Sequence, residues 1–153
     1  MRRAYSVQQA GQWDNAAAID RVVLDANERH RRRVVLTGEC GTTLLLDLPH
    51  AITLKDGDGL VLDDGAVVRV IGKPEPLHEI AAANACELAR LAWHLGNRHA
   101  EVQLVGDRLR MRCDHVLAEM LERLGAQVNA IEAPFDPETG AYDSHRHEPE
   151  REA

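Results

Sequence analysis

The 153-residue sequence predicts an α+β chain: a small all-β barrel or sandwich first, then the order strand, helix, strand, strand, helix, strand, then a polar tail. Three observations carry this prediction. Between Val22 and Ile71, short apolar runs alternate with glycine- and aspartate-rich turns. Gly72-Lys73-Pro74-Glu75-Pro76 then breaks the pattern, because two prolines so close to a lysine and a glutamate favour an extended linker over a continuing ladder. Beyond it the apolar spacing changes to one that includes the helical period.

In the first half the runs are Val34 to Leu36, Leu44 to Leu46, Leu60 to Leu62 and Val67 to Ile71. They are separated by Gly38 to Gly41, Asp56-Gly57-Asp58-Gly59 and Asp63-Asp64-Gly65. Runs this short, bounded by Asp-Gly pairs, read as strands joined by tight turns. Asp56 to Gly59 has the carboxylates of a calcium loop but not its alternating ligands or terminal glutamate, so it reads as a turn. His50, after Pro49, is also placed in a turn.

In the second half, a strand near Leu77 to Ile80 precedes a helix carrying Ala81, Ala85, Leu88, Leu91, Ala92 and Leu95 on one face. Gly96 is assigned its left-handed C-terminal cap. Glu101 to Cys113 alternates as a hairpin turning at Gly106-Asp107. Val102, Leu104, Leu109 and Met111 point inward, and Arg108, Arg110 and Arg112 form a solvated basic face. Asp114 caps a second helix bearing Val116, Leu117, Met120, Leu121 and Leu124, which Gly125 ends; Val128 and Ile131 mark the last strand. This order is the split βαβ, ferredoxin-like arrangement. The expected domains are residues 1–73, 74–135 and a mobile tail, 136–153, whose composition has no periodicity.

A formal net charge of -7 and 3% aromatic residues argue against nucleic-acid binding. The run Arg29 to Arg33 is expected to be a solvated strand or hairpin edge. No apolar run approaches the roughly 20 residues of a membrane span, and nothing marks the chain for export, so the expected compartment is the cytoplasm. Cys40, Cys86 and Cys113 match no disulfide framework or zinc-finger spacing, and read as free thiols. No nucleophile elbow, phosphate loop, dinucleotide fingerprint or His-Glu-x-x-His helix is present, so an enzyme is not expected.

The eight histidines carry the chemistry instead. His30, His50, His78 and His94 read as ordinary. His99 follows the first helix, where an outward imidazole serves either as a metal ligand or as a cap for helix carbonyls. Cys113, Asp114 and His115 are three consecutive potential ligands, but Asp114 is needed as a cap. Cys113 shares inward parity with Leu109 and Met111, leaving His115. His145 and His147, two apart in the tail, could close on one ion.

The segments Leu91-Ala92-Trp93-His94-Leu95-Gly96-Asn97-Arg98-His99, Asp114-His115-Val116-Leu117 and Pro134-Phe135 resemble the UreE family of urease accessory proteins, from about Val22 onward. The resemblance implies a peptide-binding-like first domain and a ferredoxin-like metal-binding second domain. It also implies a non-enzymatic homodimer that carries Ni(2+) as cargo and passes it to a urease accessory GTPase and the urease apoprotein complex. His99 of both subunits would form one interfacial site, completed or loaded by His145 and His147. Cys113 stands where some relatives have histidine, which with His115 makes a softer auxiliary pair suited to Zn(2+) or Cu(2+) as well. The alternatives are a general transition-metal buffer or sensor and a metal-independent peptide-binding module.

Overall fold

The computed structural model describes residues 1–139, which fall into two compact units, Met1–Lys73 and Pro74–Thr139. Among the described residues no helix is long and apolar enough to cross a membrane.

The first unit is one curled, six-stranded sheet. Its strands are β1 (Arg2–Gln8), β2 (Ala18–Leu24), β3 (His30–Thr37), β4 (Thr43–Thr53), β5 (Gly59–Leu62) and β6 (Val67–Gly72), in the order β2-β6-β5-β1-β4-β3. The pairs β1-β4 and β2-β6 are parallel and the others antiparallel. The concave side is aliphatic, with Val22, Leu36, Leu44, Leu46, Leu60, Leu62, Val68 and Val70 among its buried residues. A core without aromatic rings is filled by β-branched and leucine side chains that alternate with outward residues along each strand.

Several local expectations change. Strand β1 lies at the centre of the sheet yet has no apolar run. Ala4 and Val7 point inward, with a register shift between Ala4 and Ser6, so its parity changes midway. His50 lies in β4 rather than a turn. Arg31 faces Ile52 and Arg33 faces Asp47, so Leu48 to Ala51 stand against Arg32 alone, and Pro49 sits in an irregularity where no ladder bond is required of it.

Within the basic run, His30 to Arg33 lie on the exposed edge strand β3, but Arg29 is fully buried. Its Nε donates to the Leu24 carbonyl at 3.2 Å and its Nη1 to that of Leu54 at 3.0 Å, which joins the β2-β3 turn to the end of β4. The Asp56 to Gly59 segment is a turn. Its carboxylates are occupied by main-chain amides, Asp56 by Gly72 and Asp58 by Ala10 and Lys55.

The second unit comprises β7 (Glu75–Ala81), α1 (Ala85–Asn97), β8 (Gln103–Val105), β9 (Arg108–Arg112), α2 (His115–Arg123) and β10 (Gln127–Ala133). The antiparallel order β10-β7-β9-β8 is the ferredoxin-like topology expected from the element order. Both helices contribute to a core of Ile80, Leu91, Leu95, Leu109, Met111, Ala118 and Leu121. Helix α1 starts at Ala85 rather than Ala81. Asn84 accepts the Glu87 amide at 2.8 Å as its N-cap, and Ala81 belongs to β7.

The arginine face of β9 is not simply solvated. Arg108 and Arg110 both donate to Glu79, at 2.9 and 3.0 Å. Arg112 pairs with Glu101 and lies 4.9 Å from the Phe135 ring centroid. Leu104, expected to point inward, is exposed on the edge strand β8. The Arg108 hydrogen bond, with that of Arg110, holds the Glu79 carboxyl below its ordinary value of 4.5 despite partial burial. A depressed carboxyl stabilises fully above the unfolded pKa and loses that contribution as pH falls toward the folded one. Glu79→Gln is therefore expected to cost roughly 1 kcal/mol at neutral pH, since Arg108 is half exposed and screened. In urea unfolding the difference should shrink below pH 4.5.

Candidate metal centre

The centre is built around the end of α1. The Ala100 amide donates to the Leu95 carbonyl at 3.1 Å and the His99 amide to that of Gly96 at 3.0 Å, while His99 has φ 57°. This is a Schellman motif with histidine at the left-handed position where glycine is the default. Gly96 is therefore not the cap: it lies inside the helix, without a positive φ. Arg98 adds a contact at this end of the helix, its Nη1 donating to the His94 carbonyl at 3.1 Å.

Helix α2 ends in the same motif with the expected residue. Ala126 donates to Leu121 and Gly125 to Glu122, both at 3.0 Å, and Gly125 has φ 97°. His99 is the only non-glycine residue with positive φ among the described residues. Leu95 is buried in the core and Ala100 packs against it, so the backbone on both sides of His99 is held and the imidazole is directed outward.

A hollow of about 420 Å³ opens beside it, lined by His99, Glu101, Arg112, Cys113, Asp114 and Val116 among others. A second, of about 350 Å³, is lined by His99, Glu101, Leu104 and Glu138 with part of α1. His99 and Glu101 thus border both. Glu138 is held there by main-chain contact, its amide donating to the Val102 carbonyl at 2.8 Å.

Cys113 is exposed, not inward. Strand β9 ends at Arg112, so the alternation that assigned Cys113 to the core stops one residue before it. His115 is the first residue of α2 and exposed, but does not line the hollow. Asp114 caps α2 as expected, its Oδ1 accepting the Leu117 amide at 3.0 Å. His145 and His147 lie outside the described residues.

Of the five candidate ligands, the fold therefore brings His99 and Cys113 to one hollow and leaves His115 off it. Among the described residues no group of three histidine, cysteine or acidic side chains is arranged to hold a metal ion. Glu101 and Arg112 were read only as hairpin residues; the available signal was their adjacency to His99 and Cys113. His30, His78 and His94 have local partners. His30 Nδ1 meets Thr53 Oγ1 at 2.8 Å, His78 Nδ1 accepts the Asp114 amide at 3.4 Å, and His94 meets the Trp93 ring edge-on at 5.0 Å.

Family models for the UreE urease accessory protein match the N-terminal domain at residues 4–71 and the C-terminal domain at residues 75–153. The match starts inside β1, well before Val22. The chain is 54% identical over 142 residues to a urease accessory protein UreE of Rhodopseudomonas palustris strain BisB18, covering 93% of this chain and 67% of that one. It is 52% identical over 149 residues to that of Bradyrhizobium sp. strain ORS 278, covering 96% and 70%. It is 48% identical over 152 residues to that of Beijerinckia indica subsp. indica, covering 96% and 87%. With both domain models matched and close relatives spanning nearly all of it, the chain belongs to the UreE family of urease accessory proteins.

Proposed function

We propose that this chain is a non-enzymatic cytoplasmic nickel chaperone, a homodimer in which His99 of each subunit contributes to one site and His145 and His147 complete or load it. The observation that carries this reading is His99. Its imidazole is exposed, and the backbone is in a conformation that glycine would adopt with less strain. Strain retained at an outward ligand-type residue is a mark of function rather than of packing.

Membership in a family of urease accessory proteins supports a role in urease maturation, with delivery through a urease accessory GTPase to the urease apoprotein complex. A two-fold axis lets one residue supply two ligands, which suits a carrier. Carriage needs labile, incomplete coordination, so that the ion leaves by ligand exchange. Zn(2+) and Cu(2+) fit the same donors, and nickel preference would then come from geometry and partner.

Nickel calorimetry on the full chain, with dimer state measured by sedimentation, tests this. The expected result is about one ion per dimer, as a shared two-fold site requires. Binding should weaken when the chain is truncated before His145, and weaken in mild acid because ligation needs neutral imidazole. Unchanged affinity in acid, or binding by the monomer alone, would overturn it.

A further inference from the structure

We propose that Cys113 and His99 of one protomer close on the same ion, so that the nickel site is a mixed imidazole-thiolate site with no separate Cys113-His115 pair. This rests on the nickel-carrier reading above and concerns its donor set.

The two side chains line one hollow, and His115 does not. The other groups on that wall are committed. Asp114 caps α2 through Leu117, Glu101 is paired with Arg112, and the Arg98 guanidinium holds the His94 carbonyl. The Cys113 thiol and the His99 imidazole are exposed, and no hydrogen bond or ion pair engages either side chain among the described residues. They are also held on different elements, His99 by the end of α1 and Cys113 by the link from β9 to α2, so the backbone supplies both donors without ordering a loop.

Binding follows a simple balance. The thiol releases its proton to solvent, the thiolate sulfur and a neutral imidazole nitrogen each donate a pair to Ni(2+), and water leaves the ion. No electron is transferred. The thiolate makes the site softer than an all-histidine one, raising its affinity for Zn(2+) and Cu(I) relative to nitrogen-only donors.

The test is a nickel titration of the full chain followed by near-ultraviolet absorbance, where thiolate-to-nickel charge transfer appears and imidazole ligation alone does not. Wild type should show the band, and Cys113→Ser should lose it with a fall in nickel affinity on the order of tenfold or more. Cys40 and Cys86 are exposed as well, so the Cys113→Ser comparison assigns the sulfur. His115→Ala should keep the band and affinity, and His99→Ala should lose both. Tight binding that depends on His99 without any band would overturn the mixed site and leave the carrier reading standing. A band that survives His99→Ala but vanishes in His115→Ala would restore the separate pair. Loss of neither binding nor band in His99→Ala and His115→Ala would remove the carrier reading at this site as well.

Discussion

His99→Gly is expected to stabilise the second unit by about 1 kcal/mol, because an L-residue in the left-handed region costs about that much relative to glycine. The same substitution should weaken nickel binding by about a hundredfold or more, since losing a ligand costs at least as much as losing a group that merely supports one, which is worth roughly 10–100-fold. His99 has φ 57° at the position that Gly125 fills in α2 with φ 97°. A side chain at Gly125 would meet nothing within 4 Å, so Gly125→His isolates the backbone term and should destabilise by a similar amount. His99→Ala keeps the strain and loses the ligand, so it should lose binding with no gain in stability. Urea unfolding followed by fluorescence of Trp93, which lies in α1, reads the stability; calorimetry reads the binding. A less stable His99→Gly protein would mean that the imidazole is held by contacts that outweigh the backbone cost.

Asp20→Asn is expected to cost about 2 to 3 kcal/mol at neutral pH, the range for hydrogen bonds to a charged, buried acceptor. The Asp20 carboxylate accepts the amides of Arg21 at 2.7 Å, Cys40 at 2.9 Å and Thr42 at 3.0 Å. It thereby fastens the β3-β4 turn to β2. Gly38 is required there, since a Cβ at that position would clash with the carboxylate. Burial pushes the Asp20 carboxyl up, but the hydrogen bonds from the Cys40, Arg21 and Thr42 amides and from the Thr42 hydroxyl outweigh it. The net result lies well below the ordinary value of 3.8. The sign follows: the contribution is complete above pH 3.8 and is lost as pH falls toward the folded value. Asparagine can offer one oxygen, and its NH2 would face an amide donor. Stability measured from pH 7 to pH 3 should show the gap between wild type and Asp20→Asn closing in acid. A constant gap would mean that the loss is one of shape rather than charge.

Neither Asp20 nor Arg29 was legible as a structural centre. Each is a polar residue beside an apolar run, and its role depends on carbonyls or amides far away in sequence: Leu54 for Arg29, and Cys40 and Thr42 for Asp20. Strand β1 was missed for a related reason. A central strand with two inward residues and a register shift has too little apolar periodicity to be recognised, although its neighbours β4 and β5 define it once they are in place.

The candidate site divides the same way. The Gly-Asn-Arg-His segment and the Asp114 cap could be read locally, because a helix end is determined by the few residues that satisfy its own amides and carbonyls. That His99 rather than Gly96 takes the left-handed position could not, since it depends on Leu95 being buried and on Ala100 packing beside it. Cys113 was misassigned by one residue of parity, because the end of β9 is set by its pairing with β7, not by the alternation within it. Hydrophobic period and turn chemistry act over a few neighbouring residues, so they were enough for the two-part architecture and for the order of elements in the second unit. Which donors face one hollow, and which polar groups are buried, depends on strands brought together from distant positions, and that information is present only in the packed fold.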